Sequence, residues 1–235
     1  MQLLCEDIRE RSTDAEQLSP WLEQLGGRVL ELGCGDGQNA RLLAAHPRVD
    51  SVLALEQDTI AHAKNLAAAP VEGLRFGLGG AEDIPAEDAA FDMVFMFKSL
   101  HHVPLDAMDR ASAELRRVLR PGGLAYVSEP VFAGDFNEVL RMFHDESHVR
   151  LRAFEVLERA VARGEFELVE ERFFLLPLRF DDFAAFEQRV IGVTHTQHSL
   201  DAATLAAVRE RFEGFRAQNG GEFLAPQRIE VLRRA

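Results

Sequence analysis

The stretch VLELGCGDGQNA, Val29–Ala40, begins as an apolar run and then places glycine at alternate positions, Gly33, Gly35 and Gly37. Glycine adopts positive φ readily and lets a ligand approach the main chain closely. A helix that begins near Gln38 would point unpaired N–H groups and its positive dipole end at this loop. Because open parallel sheets bind ligands at the carboxyl ends of their strands, the stretch predicts a site for a nucleotide-like ligand. The alternative is a tight strand-to-helix turn that binds nothing.

The composition indicates a folded protein without a large basic surface. The chain has 235 residues, 47% hydrophobic and 28% charged, which suits one large α/β domain or one domain with a small addition. A net charge of −13 argues against a nucleic-acid partner. No run approaches the roughly 18 apolar residues of a membrane span, so no membrane partner is expected. Two cysteines, Cys5 and Cys34, and no basic, apolar leader favour a reduced, cytoplasmic setting.

Short apolar runs alternate with helix-like segments between residues 28 and 129. The predicted strands are RVLELG, SVLALE, GLRFGLG, FDMVFMF and LAYVSEP, and the predicted helices are QNARLLAAH, DTIAHAKNLAAA and LDAMDRASAELRRVLR. Asp58 is the expected N-cap of the second of these helices. Strands that are separated by helices predict a doubly wound α/β fold with a mostly parallel sheet and right-handed crossovers.

The chain changes character after Pro130. Residues 135–164 predict one long helix or two shorter ones, residues 165–180 a strand, and residues 220–235 a final strand. Two further helical stretches lie between these strands, near residues 181–192 and 201–217. Thirteen of the 17 phenylalanines lie in this half of the chain. They could line an apolar pocket, but aromatic residues at helical spacing more often form core.

Two carboxylates flank the glycine loop and indicate the kind of ligand. Glu56 ends the second predicted strand, where a carboxylate can accept hydrogen bonds from ribose hydroxyls, although a solvated strand end is the alternative. Glu31 precedes the loop, whose spacing is G-x-G-x-G rather than the dinucleotide pattern G-x-G-x-x-G. A carboxylate there would repel a pyrophosphate and favour a ligand with cationic groups, such as an ammonium and a sulfonium.

These motifs together resemble the class I S-adenosylmethionine-dependent methyltransferases, most closely the broad set that acts on small molecules and includes ubiquinone-biosynthesis-type enzymes. The likeness is carried, in order over residues 28–130, by VLELGCGDGQNA, VLALEQD, FGLGGAEDIPAEDAAFDMVFMFKSLHHVP and AELRRVLRPGGLAYVSEP. The resemblance implies a Rossmann-like fold with a seven-stranded, mostly parallel sheet and a helical cap. We further expect an N-terminal helical lid (residues 1–27) that includes Trp21, and a methyltransferase domain (residues 28–235), in which inserted helices of residues 131–220 form the substrate cap. The alternative for the N-terminal segment is an edge helix that only packs against the fold.

The resemblance further implies an enzyme that uses S-adenosyl-L-methionine, with a set of cofactor-binding residues. These are Glu31, Gly33, Cys34, Gly35, Gly37, Glu56, Gln57, Ala81, Glu82 and Phe97. The glycines would admit the methionine part, Glu31 would help to hold its amino group, Glu56 would bind the ribose, and Ala81 and Glu82 would flank the adenine. The chain departs from the family at Gly80, where an acid that accepts the adenine amine is common. Either Glu82 or Asp83 would substitute for it, or the adenine would be held mainly by packing.

Histidines supply the candidates for catalysis. His101 and His102, in KSLHHVP after the fourth strand, are the first candidates for acceptor contact or general base, and we expect at most one of them to face the acceptor. Loop or capping roles are the alternative. His144 and His148 have a spacing that could place them on one helix face, but a solvated polar face is favoured and no metal is expected. His195 and His198 could border the substrate pocket or lie in a surface loop.

The sequence therefore predicts a methyltransferase that acts on a small molecule by in-line displacement, with a homodimer as its one candidate assembly. Three alternatives stay open: a noncatalytic S-adenosylmethionine-binding or regulatory protein, an NAD-dependent dehydrogenase, and a nucleic-acid methyltransferase. The loop spacing and Glu31 weigh against the dehydrogenase, and the acidic charge weighs against the nucleic-acid enzyme.

Overall fold

The computed structural model describes residues 1–24, 26–193 and 200–235. Its helices are α1 (Asp14–Gln24), α2 (Gln38–Ala44), α3 (Thr59–Ala67), α4 (Met108–Val118), α5 (Gly134–Leu140), α6 (Ser147–Ala162), α7 (Phe183–Phe186) and α8 (Ala202–Asn219). Its strands are β1 (Gly27–Leu32), β2 (Val49–Glu56), β3 (Leu74–Leu78), β4 (Phe91–Phe97), β5 (Leu119–Pro130), β6 (Phe166–Arg179) and β7 (Glu222–Arg234). The predictions for His195 and His198 lie outside the described residues.

A seven-stranded sheet in the order β3-β2-β1-β4-β5-β7-β6 organises the described residues. The first five strands of the chain pair in parallel, and β7 runs antiparallel between β5 and β6. The order reverses between β1 and β4, which is where doubly wound sheets open a crevice at their carboxyl edge. The predicted doubly wound, mostly parallel fold is therefore confirmed.

Both faces of the parallel sheet are covered, which explains why its strands read as continuous apolar runs. Leu30 and Leu32 of β1 pack on the face that α4 and α6 cover. Val29 of the same strand packs on the opposite face, with α1 and α2. Asp58 caps α3 as predicted, because its carboxylate accepts hydrogen bonds from the N–H groups of Ile60 and Ala61.

Residues 135–164 form two helices, α5 and α6, so the prediction of two shorter helices is confirmed over that of one long helix. The aromatic residues after Pro130 build a third core, separate from the two that cover the sheet. We call this third core the phenylalanine core; its buried members are Val139, Phe180, Phe183, Phe186, Val208, Phe212 and Phe223. The rings meet edge-on or stacked, as between Phe180 and Phe223, whose centroids lie 5.9 Å apart. These phenylalanines are core, as predicted.

The N-terminal segment contributes one helix among its described residues. Leu18, Trp21 and Leu22 of α1 are buried in the sheet core beside α2. Cys5 and Cys34 are both free thiols. None of the helices in the described part of the chain combines the length and apolarity that a membrane crossing requires.

Candidate active site

The glycine loop after β1 is fixed by hydrogen bonds to the end of β2. The N–H groups of Gly33 and Cys34 both donate to the carbonyl of Leu55, at 2.9 and 3.0 Å. Gly33 has φ +71°, and a Cβ there would lie 2.6 Å from Cβ of Ser99. Gly35 also has positive φ, +53°, but a Cβ there would meet nothing within 4 Å. Gly33 is therefore required by packing, whereas Gly35 leaves open space beside the main chain.

Glu56 braces this loop with both carboxylate oxygens. Oε2 accepts the N–H of Gly35 at 2.6 Å, and Oε1 accepts the N–H of Asp58 at 2.8 Å. Asn65 of α3 holds the same loop from the other side, because its amide donates to the Gly35 carbonyl at 2.8 Å. One carboxylate thus ties the loop after β1 to the turn that begins α3.

The Glu31 carboxyl lies under the loop and is only 1% exposed. Its Oε2 atom has no hydrogen-bond partner among the described residues. Burial, with the nearby carboxylates of Asp36 and Glu56, raises the pKa of Glu31 to about 8, although Lys98 acts in the opposite direction. A buried acid with an unused oxygen fits a cationic group of a ligand, which would stabilise its ionised form.

A cavity of about 1380 Å³ opens at the carboxyl edge of the parallel strands. Eight of the predicted site residues line it: Gly33, Gly35, Glu56, Gln57, Ala81, Phe97, His101 and His102. Four others lie beside it rather than on its described wall. Glu31 is buried in β1, Cys34 is buried within the loop, Gly37 is the N-cap of α2, and Glu82 bonds to Gln57. The structure therefore brings the predicted residues to one place.

The packing around position 80 explains why this residue is glycine. A Cβ at this position would lie 1.7 Å from Nε2 of Gln57 and 2.5 Å from Oε2 of Glu82. The Gln57 amide donates to the other Glu82 oxygen at 2.8 Å. The Gln57 amide, just after β2, and the Glu82 carboxylate, in the loop after β3, thus fill the space beside Gly80. This arrangement fits the expectation that Glu82 substitutes for an acid at position 80.

Away from the glycine loop, the cavity is lined by two adjacent histidines that the sequence predicted and is bordered by carboxylates that it did not predict. His101 and His102 form a 3₁₀ turn with Leu100 after β4, and their ring centroids lie 4.1 Å apart. Both residues line the cavity, and the expectation that at most one of them faces the acceptor stays a prediction. The tight turn keeps the two adjacent side chains on the same side.

Glu129 and Glu146 lie beside His101, and neither was predicted as a site residue. Nδ1 of His101 lies 2.5 Å from Oε2 of Glu129, whose other oxygen accepts the Leu100 N–H at 2.9 Å. Burial raises the pKa of Glu129, but the His101 imidazole and the Leu100 N–H outweigh it, so the pKa lies below its ordinary value. A signal for Glu129 was present, since it is a lone carboxylate in the apolar strand LAYVSEP.

His144 and His148 do not share a helix face. His144 lies in the irregular segment before α6, which begins at Ser147, and it lines the cavity. His148 lies in the first turn of α6 and is exposed. The predicted spacing fails because the helix does not extend back to residue 144.

Comparison with known proteins relates part of this chain to a known domain. A family model described as "Methyltransferase domain" matches residues 30–127. A relative from Mycolicibacterium smegmatis, named "Probable S-adenosylmethionine-dependent methyltransferase/", is 34% identical over 57% of this chain and 51% of its own length. The chain thus spans about half the length of that relative. A fatty-acid O-methyltransferase from the same organism is 40% identical over 42% of this chain and 35% of its own length.

The fold is similar to a solved structure over nearly its whole length. The YcgJ protein of Bacillus subtilis aligns with a TM-score of 0.67 at 19% identity, covering 93% of this chain and 98% of that one. The sequence of the same protein, named as an uncharacterized methyltransferase, is 27% identical over 75% of this chain and 73% of its own length.

Substitution of Gly33 tests the packing of the loop. We expect Gly33→Ala to lower the free energy of unfolding by about 1–3 kcal/mol more than Gly164→Ala does, because the added Cβ meets Ser99. Gly164 is the matched control, since it has the same φ of +71° but open space around a Cβ. Urea unfolding of the two variants measures the difference, and equal losses would show that only the positive φ matters.

The Glu31 carboxyl should make stability depend on pH. As pH rises from about 4.5, the unfolded chain loses this proton first, because the folded protein keeps it to about pH 8. The contribution of Glu31 to the free energy of unfolding is thus complete below pH 4.5 and falls by about 1.4 kcal/mol per pH unit up to pH 8. Urea unfolding across this range should show the decline in the parent protein and in Glu72→Gln, an exposed control, and a shallower one in Glu31→Gln.

Proposed function

We propose that this chain, which belongs to the class I S-adenosylmethionine-dependent methyltransferases, methylates a small-molecule acceptor by in-line displacement. The observation with most weight is the buried Glu31 carboxyl beneath a glycine loop that Glu56 braces. This pairing favours a ligand with cationic groups and a ribose over one with a pyrophosphate. It also argues against the NAD-dependent dehydrogenase alternative.

The residues present fit the cofactor along one wall of the cavity. Glu31 would attract the amino group of the methionine part, and the open space at Gly35 would admit its chain. Glu56 keeps lone pairs for ribose hydroxyls beyond the two backbone bonds that it accepts. Gln57 and Glu82, held to each other, would border the adenine. S-adenosylmethionine supplies an electrophilic methyl group on a sulfonium.

The protein's part in transfer is to align the acceptor and to accept a proton where the acceptor must lose one. Proximity and orientation can contribute roughly 7–11 kcal/mol to such a reaction. His101 is placed for the proton, because Glu129 holds Nδ1 and leaves Nε2 facing Glu146, which also lines the cavity. His102, which is exposed to the same cavity, would contact the acceptor.

Two segments would enclose the acceptor. The start of α6 contributes cavity wall through Glu146 and Val149, which supports a cap formed by residues 131–220. An ion pair joins Asp14 of α1 to Lys98, a cavity residue, which supports a lid formed by residues 1–27. The fatty-acid O-methyltransferase relative acts on a fatty acid by its name, and a small acceptor with a hydroxyl or carboxyl group is the class that we propose here.

Calorimetry with S-adenosylmethionine and with its demethylated product tests the cofactor site. We expect Glu56→Gln to weaken both ligands by the same factor, roughly 5-fold to 150-fold, because the ribose is common to both and a hydrogen bond to a charged group is worth about 1–3 kcal/mol. Glu87→Gln, an exposed change nearby, should leave both affinities intact. An unchanged affinity in Glu56→Gln would remove this residue from the site.

Transfer of a labelled methyl group to a panel of fatty acids and small hydroxylated acceptors tests catalysis. We expect His101→Gln to lower turnover by about 10²-fold to 10⁴-fold, the usual contribution of acid–base catalysis, with the S-adenosylmethionine affinity unchanged. His148→Gln, on the exposed surface of α6, should turn over normally. Cofactor binding without turnover on any acceptor would instead favour the noncatalytic alternative.

A further inference from the structure

Three potential ligand groups meet at the acceptor end of the cavity. His101, His102 and Glu146 each offer one nitrogen or oxygen atom, and these three atoms lie within 4.8 Å of one another. We call these residues the histidine–carboxylate cluster. His101 and Glu146 are buried, His102 is exposed, and all three line the cavity.

The hydrogen bonds of His101 leave a lone pair facing a carboxylate. When Nδ1 carries the ring proton and donates to Glu129, Nε2 is an acceptor. Nε2 lies 3.7 Å from Oε1 of Glu146, which is also an acceptor, and this separation is beyond a normal hydrogen bond. A cation between the two atoms would give the Nε2 lone pair a partner.

Glu146 is held so that one oxygen stays turned toward the imidazoles. Its Oε2 pairs with Arg150 at 2.5 Å, and Arg150 in turn donates to Oδ1 of Asn137 at 2.7 Å. Its Oε1 lies 3.0 Å from Nε2 of His144, a fourth group in reach. The buried Glu129–His101 pair has the arrangement that orients imidazole ligands in metal sites, in which an outer carboxylate fixes the ring and its tautomer.

We propose that the histidine–carboxylate cluster binds one divalent transition-metal ion. Two imidazoles and one carboxylate suit zinc, cobalt or iron(II) better than magnesium or calcium, which prefer oxygen ligands. Ligands at about 2.1 Å from a tetrahedral ion lie about 3.4 Å apart, so the cluster must contract by about 1 Å. The exposed His102 side chain can supply this movement.

Such an ion would refine the way in which the acceptor is held. Three protein ligands leave at least one position open, and it faces the cavity. The open position would take an oxygen of the acceptor, a hydroxyl or a carboxylate. The ion, rather than an imidazole, would then contact the acceptor, and Nε2 of His101 would be a metal ligand in place of the proton acceptor proposed above. This second step rests on the proposed methyl transfer, whereas binding of the ion does not.

Titration of the full, chelator-treated protein with Co²⁺ tests the site, because cobalt bound to nitrogen and oxygen ligands in a low-symmetry site absorbs visible light. We expect one Co²⁺ per chain, displaced by one equivalent of Zn²⁺. Octanoate, as a carboxylate probe, should change the cobalt spectrum. His102→Gln and Glu146→Gln should each weaken binding at least tenfold, and Glu129→Gln, which removes no ligand, should weaken it by about 10-fold to 100-fold.

His148→Gln is the control, since it removes an exposed histidine close to the cluster, and should bind Co²⁺ like the parent protein. Circular dichroism confirms that each variant is folded, and the exposed His102 remains informative if a change at buried Glu146 unfolds the chain. Binding of less than one ion, or equal binding by the parent, His102→Gln and folded Glu146→Gln, overturns the metal site. An octanoate-insensitive spectrum overturns the open position. Calorimetry of S-adenosylmethionine on the same samples tests the proposed function separately.

Discussion

The two hydrogen bonds that the Glu56 carboxylate accepts connect the parts on which the cofactor end of the cavity depends. One comes from Gly35, in the loop after β1, and the other from Asp58, at the start of α3. Because the carboxylate spans both, the glycine loop cannot move without the end of β2. The open space at Gly35 follows from this fixed loop, and the pairing of β1 with β2 and β4 fixes buried Glu31 beside it. A flexible loop would collapse onto the space that a ligand needs.

Sequence reasoning succeeded where the signal was local. Patterns that depend on neighbours within a few residues could be predicted from the sequence; these are the apolar runs, the alternate glycines and the Asp58 cap. Glu129 lies 28 positions after His101, and only the pairing of β4 with β5 brings these two residues together. Glu146 precedes α6, and hydrophobic periodicity does not predict how this helix is placed against the sheet. Tertiary contacts of this kind leave no periodic trace.

The two ends of the cavity use buried charge in different ways. At the cofactor end, Glu31 keeps an oxygen without a partner in the described structure, and its pKa is raised. At the end that His101 and His102 line, Glu129 is as deeply buried, but it is held by an imidazole and a backbone N–H, and its pKa is lowered. Burial alone therefore does not determine the charge of an acid; the groups that replace water do.

The phenylalanine core is formed by the part of the chain that follows β5. Among the described residues, it shares no buried member with the two sheet cores. Changes at positions that do not touch one another combine additively in most proteins. Val139 of α5 belongs to the phenylalanine core, and Asn137 of the same helix bonds Arg150, which pairs with Glu146 at the cavity wall. Changes in this core can therefore reach that wall through α5 while the glycine loop keeps its geometry. Under the proposed function, a chain built this way can exchange one acceptor for another over evolutionary time without rebuilding its cofactor site.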